Sequence, residues 1–250
     1  KAEEKASELF DQIQARGLIC SNKTENDLNQ EVFDLAFEMF GIKKYWHKRI
    51  VRAGENTLYP YKENPKNLMI KDNDILFLDF GPIFEEWEAD FGRTYVLGED
   101  PLKLKLKKDI ELAWYECRDF FKNQNSITGA EMFSHAEEIA KKYNWEFGGE
   151  IAGHLIGQFP HEKLANEDKT NYVHPKNKVD MFARGKDGKK REKTHKARRT
   201  RTVRADRILD GFVFPLEERL TSRTPRPEDI AIRAPRINED TNPVLFYLFI

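Results

Sequence analysis

Two acids in the apolar stretch DILFLDFGPIFEEWEADFGRTYVLG are the side chains of this sequence best placed to do chemistry. Asp79 follows Leu76, Phe77 and Leu78, positions expected to be buried, and Asp90 comes eleven residues later at the start of a second apolar run. A carboxylate in such surroundings is strongly disfavoured unless a cation or hydrogen-bond donors meet it. Gly81 and Pro82 can turn the chain so that the two runs pair as antiparallel strands. The acids then converge across the hairpin, and a shared metal site becomes feasible. The same residues also allow a plainer arrangement, with Asp79 capping a turn and Asp90 paired with Arg93.

A second candidate lies in GGEIAGHLIGQFPHE, where His154 and His161 stand seven residues apart among small and apolar neighbours. Gly153 and Gly157 bracket the first histidine, and glycine allows close backbone approach and positive φ, so this turn can aim an imidazole into a crowded site. His154 is then either a ligand or a hydrogen-bonded core residue. Its spacing to His161 is not the i,i+4 pattern of a helical zinc motif.

These side chains need elements to hold them. Ala6, Leu9, Phe10 and Ile13 share one helical stripe within residues 3 to 16, and Gly17 sits where a helix would stop. Thr24 with Asp27 resembles a capping arrangement ahead of Leu28, Val32, Leu35, Ala36 and Met39, which end at Gly41. Pro101 suits the first turn of a helix carrying Ile110, Ala113, Trp114, Cys117 and Phe121, and Thr128 with Glu131 forms a capping box before Met132, Ala136 and Ala140. Ile75 to Phe80 and Arg93 to Leu97 read as strands. Two helices, a hairpin, two helices and a further strand-like segment make an α+β layout, mostly antiparallel strands backed by helices.

Taken together, Asp79 and Asp90 at this spacing, ADFGRT around the second acid, and GHLIGQFPH about sixty residues later resemble the metal site of the pita-bread metallopeptidases. Methionine aminopeptidase, aminopeptidase P, prolidase and creatinase belong to that family, and the similarity covers roughly residues 1 to 183. The resemblance implies the pita-bread fold and two divalent ions, drawn from Mn, Co, Fe or Zn. Asp79 would bind one ion, Asp90 would bridge both and His154 would bind the second. His161 would be the substrate-side histidine, donating to the developing oxyanion or to the substrate. Where aminopeptidases of the family carry a histidine ahead of the first acid, the nearest counterpart is Tyr61 in TLYPYKENP, whose phenol can donate a hydrogen bond to substrate. The family completes its ligands with two glutamates on C-terminal strands. Glu192 is surrounded by cations with no apolar strand behind it, which leaves Glu217 in GFVFPLEERL as the candidate. The implied function is hydrolysis of N-terminal peptide bonds through a metal-activated water, of the X-Pro type. The alternative is a pita-bread module that binds peptides or acidic partners without turnover.

The whole chain bounds these readings. Its 250 residues, 39% hydrophobic and with 18 Phe, suffice for a sizeable core. The longest apolar runs, Ile75 to Phe80 and Val244 to Ile250, are strand-sized rather than membrane-spanning. The first residue is Lys, so the start is expected to be processed or trimmed, and KAEEKASELF has no secretory pattern. Cys20 and Cys117 fit a reducing, cytoplasmic setting and neither looks catalytic. Peptide is the expected partner, membrane is not, and a homodimer is the candidate assembly. Between Arg184 and Arg207 twelve Lys or Arg face three acids, so a net charge of −1 conceals a local +9. Such a run is usually solvated, and without interleaved aromatics or a base-reading motif it does not suggest nucleic acid. The expected division is a pita-bread domain over 1–183 and an atypical basic segment over 184–250, either divergent or read in a shifted frame. Translating the other two frames downstream of codon 182 tests the second option. The expected outcome is apolar strands, each carrying one Glu, separated by roughly fifteen residues; their absence from both frames leaves divergence.

Overall fold

The computed structural model describes residues 2–154, 156, 159–160, 169–183 and 245–246. Four helices form where the spacing predicts them. α1 (Ala2–Ala15) buries Ala6, Leu9, Phe10 and Ile13 along one stripe. α2 (Glu25–Phe40) starts at a reciprocal cap between Thr24 and Asp27 and ends at Gly41, whose φ of 68° is the left-handed value that glycine adopts without strain. At the head of α3 (Pro101–Lys122), the Asp100 carboxylate accepts from the Leu102 and Lys103 N–H groups at 2.9 and 3.1 Å. α4 (Gly129–Lys142) opens on the Thr128 and Glu131 capping box.

The helices enclose a three-stranded antiparallel sheet. β2 (Ile75–Phe80) is central, between β1 (Ile50–Ala53) and β5 (Phe91–Val96). The register sets Asp79 opposite Ile50 on one side and Gly92 on the other. Gly81 and Pro82 do not close the hairpin alone, because a small excursion of β3 (Ile83–Phe84) and β4 (Trp87–Glu88) intervenes, with Glu85 at φ 59° in its turn. β5 begins at Phe91 and ends at Val96, against the expected Arg93 to Leu97, because pairing with β2 extends down to Phe80 opposite Phe91. β6 (Glu146–Phe147) pairs in parallel with β7 (Leu245–Phe246).

Alternation along β2 sorts its side chains between two layers. Leu76, Leu78 and Phe80 pack with the apolar stripes of α1 and α2. Ile75 joins the α3 and α4 core, and Phe77 packs with Ile50 and Tyr61. Asp79 falls on this second face. All six residues of β2 are buried, since the sheet is covered on both sides. Buried Glu25 ties β1 to α2: its carboxylate accepts from the Ala53 N–H at 2.7 Å, the Asn56 amide at 2.8 Å and the Leu68 N–H at 3.1 Å.

Leu78→Ala, at a fully buried position one residue before Asp79, is expected to destabilise the fold by about 2–5 kcal/mol. Phe37→Ala, on the exposed side of α2, is expected to cost no more than about 0.5 kcal/mol. Urea unfolding midpoints of both variants check this, with equal losses counting against the assigned layering.

Candidate metal centre

The end of β2 delivers Asp79 into a closed, polar spot built from four segments. Asp90 arrives immediately before β5. The turn that carries it is held by the Ala89 N–H donating to the Pro82 carbonyl at 3.0 Å and by the Trp46 indole N–H donating to the Ala89 carbonyl at 2.7 Å. The third segment, just ahead of β1, is pinned by the Trp46 N–H on the Gly81 carbonyl at 2.9 Å and brings in His47. A Cβ at Gly81 would collide with His47 Cδ2 and Nε2 and with the Trp46 indole nitrogen, so glycine there makes room for both rings.

His154 comes from the fourth segment. The Ala152 N–H donates to Val173 and the Val173 N–H donates to Gly153, both at 2.8 Å, with Gly153 at φ 122° as the flanking-glycine argument requires. Residues 170–177 are in turn anchored to the head of α4 by fully buried Asn177, whose side-chain amide donates to Thr170 O at 3.1 Å and Tyr172 O at 2.8 Å, and whose backbone carbonyl accepts from Ala130 N at 2.8 Å. The His154 ring rests against Trp46 and Tyr172, with centroids 5.4 and 5.9 Å away.

The expected convergence of Asp79, Asp90 and His154 is present. His154 Nε2 is 3.0 Å from Asp90 Oδ2, while His47 Nε2 is 3.5 Å from Asp90 Oδ1 and 3.7 Å from Asp79 Oδ1. Among the described residues, His47, Asp79 and Asp90 offer ligand atoms that all lie within 4.8 Å of one another. The plainer pairing of Asp90 with Arg93 is not what the chain does: the Arg93 guanidinium lies over the rings of Phe10 and Phe91 and donates to the Gly92 carbonyl. Tyr61 stands half-buried beside the cluster, 6.2 Å from the His47 ring between centroids, its hydroxyl receiving the Lys48 N–H at 3.4 Å. His161 and Glu217 lie outside the described residues. Both cysteines are free, and burial pushes the Cys117 thiol up to about 12, which leaves it inert as a nucleophile.

Sequence reasoning missed His47. It precedes Asp79 by thirty-two residues with no motif linking them, and β1, which carries it to the site, is short and interrupted by Arg52. That arginine is buried because loop carbonyls of Tyr59, Pro60 and Glu63 accept its guanidinium. The available signal was a histidine between an aromatic pair and the β-branched Ile50 and Val51.

Electrostatically the cluster is frustrated. Both oxygens of Asp79, both of Asp90 and Nε2 of His47 are buried without an aligned hydrogen bond from the described residues. The 3.0 Å approach of His154 is within hydrogen-bonding distance but lacks the alignment of one. Burial pushes the Asp79 carboxyl up to about 7, opposed by His47 and assisted by the Asp90 charge. At Asp90 burial acts upward too, yet His154 and His47 outweigh it and the net shift is downward. For His47, burial works against the proton, but Asp79 and Asp90 raise it to about 9. Buried carboxylate oxygens facing imidazoles are the donor set that divalent Mn, Fe, Co or Zn accepts, so the residues present fit such an ion.

Residues 1–190 match the model of metallopeptidase family M24. The chain is 25% identical over 172 residues to a Xaa-Pro dipeptidase of Pyrococcus furiosus, an alignment that covers 67% of this chain and 49% of that protein. Among solved structures it resembles an X-Pro aminopeptidase from Thermotoga maritima, with TM-score 0.59, 20% identity and coverage of 72% and 48%. A methionine aminopeptidase from the same organism gives TM-score 0.55, 17% identity and coverage of 71% and 69%. The likeness establishes the pita-bread fold expected from the motifs. The chain spans about half the length of the curated relatives it matches.

A pH dependence follows from the raised groups in metal-free protein. A folded pKa above the unfolded one stabilises at low pH and is lost as pH rises through the folded value. His47 contributes fully below 6.5 and loses its contribution through about 9, and Asp79 acts with the same sign from 3.8 through about 7. Urea midpoints in EDTA are therefore expected to fall as pH rises across that range, and to fall less in His47→Gln above pH 7; equal slopes would dissociate the trend from this cluster.

Proposed function

Because the chain belongs to metallopeptidase family M24, we propose that it hydrolyses the bond following the N-terminal residue of peptides, with Xaa-Pro substrates preferred. The observation that carries this reading is the pair of buried carboxylates whose oxygens lack hydrogen bonds from the described residues, flanked by imidazoles. The names of the relatives supply the substrate class. Two divalent ions are the proposed complement, and Asp79, Asp90 and His154 are residues that would hold them. When bound, such ions act as Lewis acids that polarise an amide carbonyl and acidify water.

The chain's own side chains have distinct tasks in this scheme. Asp90 faces both flanks, Oδ1 toward His47 and Oδ2 toward His154, which suits a bridging role. Trp46 and Tyr172 restrict His154 on two sides and keep its Nε2 aimed at Asp90. The Tyr61 hydroxyl accepts the Lys48 N–H, so its own proton is available for a hydrogen bond to the substrate. His161 is proposed to donate to the oxyanion and Glu217 to supply a further carboxylate. A homodimer and a cytoplasmic setting belong to the same proposal, and the two free cysteines bear only on the second. Among the described residues no helix is long and apolar enough to cross a membrane.

Metal analysis combined with an Xaa-Pro dipeptide assay tests the reading. The wild-type chain is expected to retain about one to two ions per chain and to turn the dipeptide over. Asp90→Asn is expected to lose both metal and activity, because an amide offers one neutral oxygen where a bridging carboxylate offers two anionic ones. Full metal content in folded Asp90→Asn would sink the dinuclear assignment, and metal-loaded wild-type protein without turnover would favour a peptide-binding module.

A further inference from the structure

The imidazole that enters from ahead of β1 has a feature the scheme above does not use. His47 Nδ1 lies 2.7 Å from the Lys48 carbonyl oxygen. A carbonyl can only accept, so Nδ1 carries a proton, and it is Nε2 that presents the lone pair whenever the ring is neutral, as it must be to bind an ion. That lone pair points into the cluster, where Nε2 is buried and without a hydrogen bond from the described residues. Histidines that ligate metals usually have their other ring N–H fixed in this way by a backbone carbonyl or carboxylate.

Distances separate two roles for such a ring. A hydrogen bond from Nε2 to either carboxylate would require roughly 2.7–3.2 Å. The observed separations are 3.7 Å to Asp79 Oδ1 and 3.5 Å to Asp90 Oδ1. Ligands about 2.1 Å from a tetrahedral ion stand about 3.4 Å from one another, close to what is found. Charge agrees as well: two carboxylates neutralise one divalent ion, and a neutral imidazole adds a donor without adding charge.

We propose that His47 is itself a metal ligand, and that His47, Asp79 and Asp90 hold one divalent ion with ligands drawn wholly from the segment between Tyr45 and Phe91. The inference rests on the proposed metal dependence but assigns a residue outside the Asp79, Asp90 and His154 set. Gly81 supports it from the backbone, since a Cβ there would collide with the His47 ring and with the Trp46 indole beside it. His47 would thereby supply a donor that does not depend on the C-terminal segment.

The test is equilibrium binding of Co²⁺ alone to the full metal-free chain, followed through its visible absorption, which reports the ligand set directly. His47→Ala and His47→Gln are expected to weaken Co²⁺ binding by at least about tenfold and to change the visible band. Near-UV circular dichroism establishes that each variant is folded, with Gln keeping most of the ring's volume. Free imidazole added to His47→Gly is expected to restore both affinity and spectrum. Unaltered affinity and band in folded His47→Gln would overturn the proposal and leave the metal-dependent function standing, with His47 then facing substrate. Failure of the wild-type chain to bind Co²⁺ would overturn both.

Discussion

The structure turns on the enforced proximity of two carboxylates inside a buried cluster. Asp79 and Asp90 are both fully buried, and their oxygens are left without aligned donors from the described residues. Leaving ionised groups in this state costs several kcal/mol each, far more than a surface ion pair returns. A domain whose net stability is only about 5–15 kcal/mol tolerates that at few places. The surroundings show how it is tolerated here. His47 and His154 bring cationic or ligand-capable rings to opposite oxygens of Asp90, and burial together with the Asp90 charge pushes the Asp79 carboxyl upward.

The fold makes this possible by burying both faces of one strand. Helices α1 and α2 take Leu76, Leu78 and Phe80, so the register of β2 is fixed by a large apolar surface, and a slip by one residue would turn Asp79 into that core. The opposite face then receives Asp79 as a geometric consequence. Asn177 and the 170–177 segment perform the equivalent service for His154, relaying the position of the α4 head through Val173 to Gly153. Gly81 completes the arrangement by omission of a side chain.

Legibility in the sequence followed interaction range. Both Thr-led caps, the glycine stop at Gly41 and β2 from Ile75 to Phe80 are decided by residues a few positions apart, and they were readable as such. The convergence of Asp79 and Asp90 was readable because a hairpin is a local object, although β3 and β4 were not, each pairing only two residues. His47 and β1 were hidden for the opposite reason. Arg52 breaks the apolar signature of β1 and is satisfied by carbonyls seven to eleven residues away, while His47 reaches acids thirty-two and forty-three residues on. Nothing local records such contacts. Tyr61 was placed in the right neighbourhood by its distance from Asp79, yet it is the neighbouring imidazole that meets the carboxylates.

One consequence links the site back to the fold. The four side chains arrive from the segment before β1, the end of β2, the segment before β5 and the loop after β6, so an ion among them would cross-link pieces of chain up to 107 residues apart in sequence. In the unfolded chain these groups are dispersed, and an ion that binds the assembled site but not the open chain adds its binding free energy to folding. Without the ion, a proton on His47 partly takes its place, which is why that imidazole is driven up to about 9 beside two carboxylates. With His47 as a ligand, proton and metal would compete for the same lone pair. The ion would then be favoured as pH rises, over the range in which the proton's own contribution to stability is lost. The pair of acids that weakens the metal-free sheet is thus the device by which metal binding would hold β1, β2 and β5 in register.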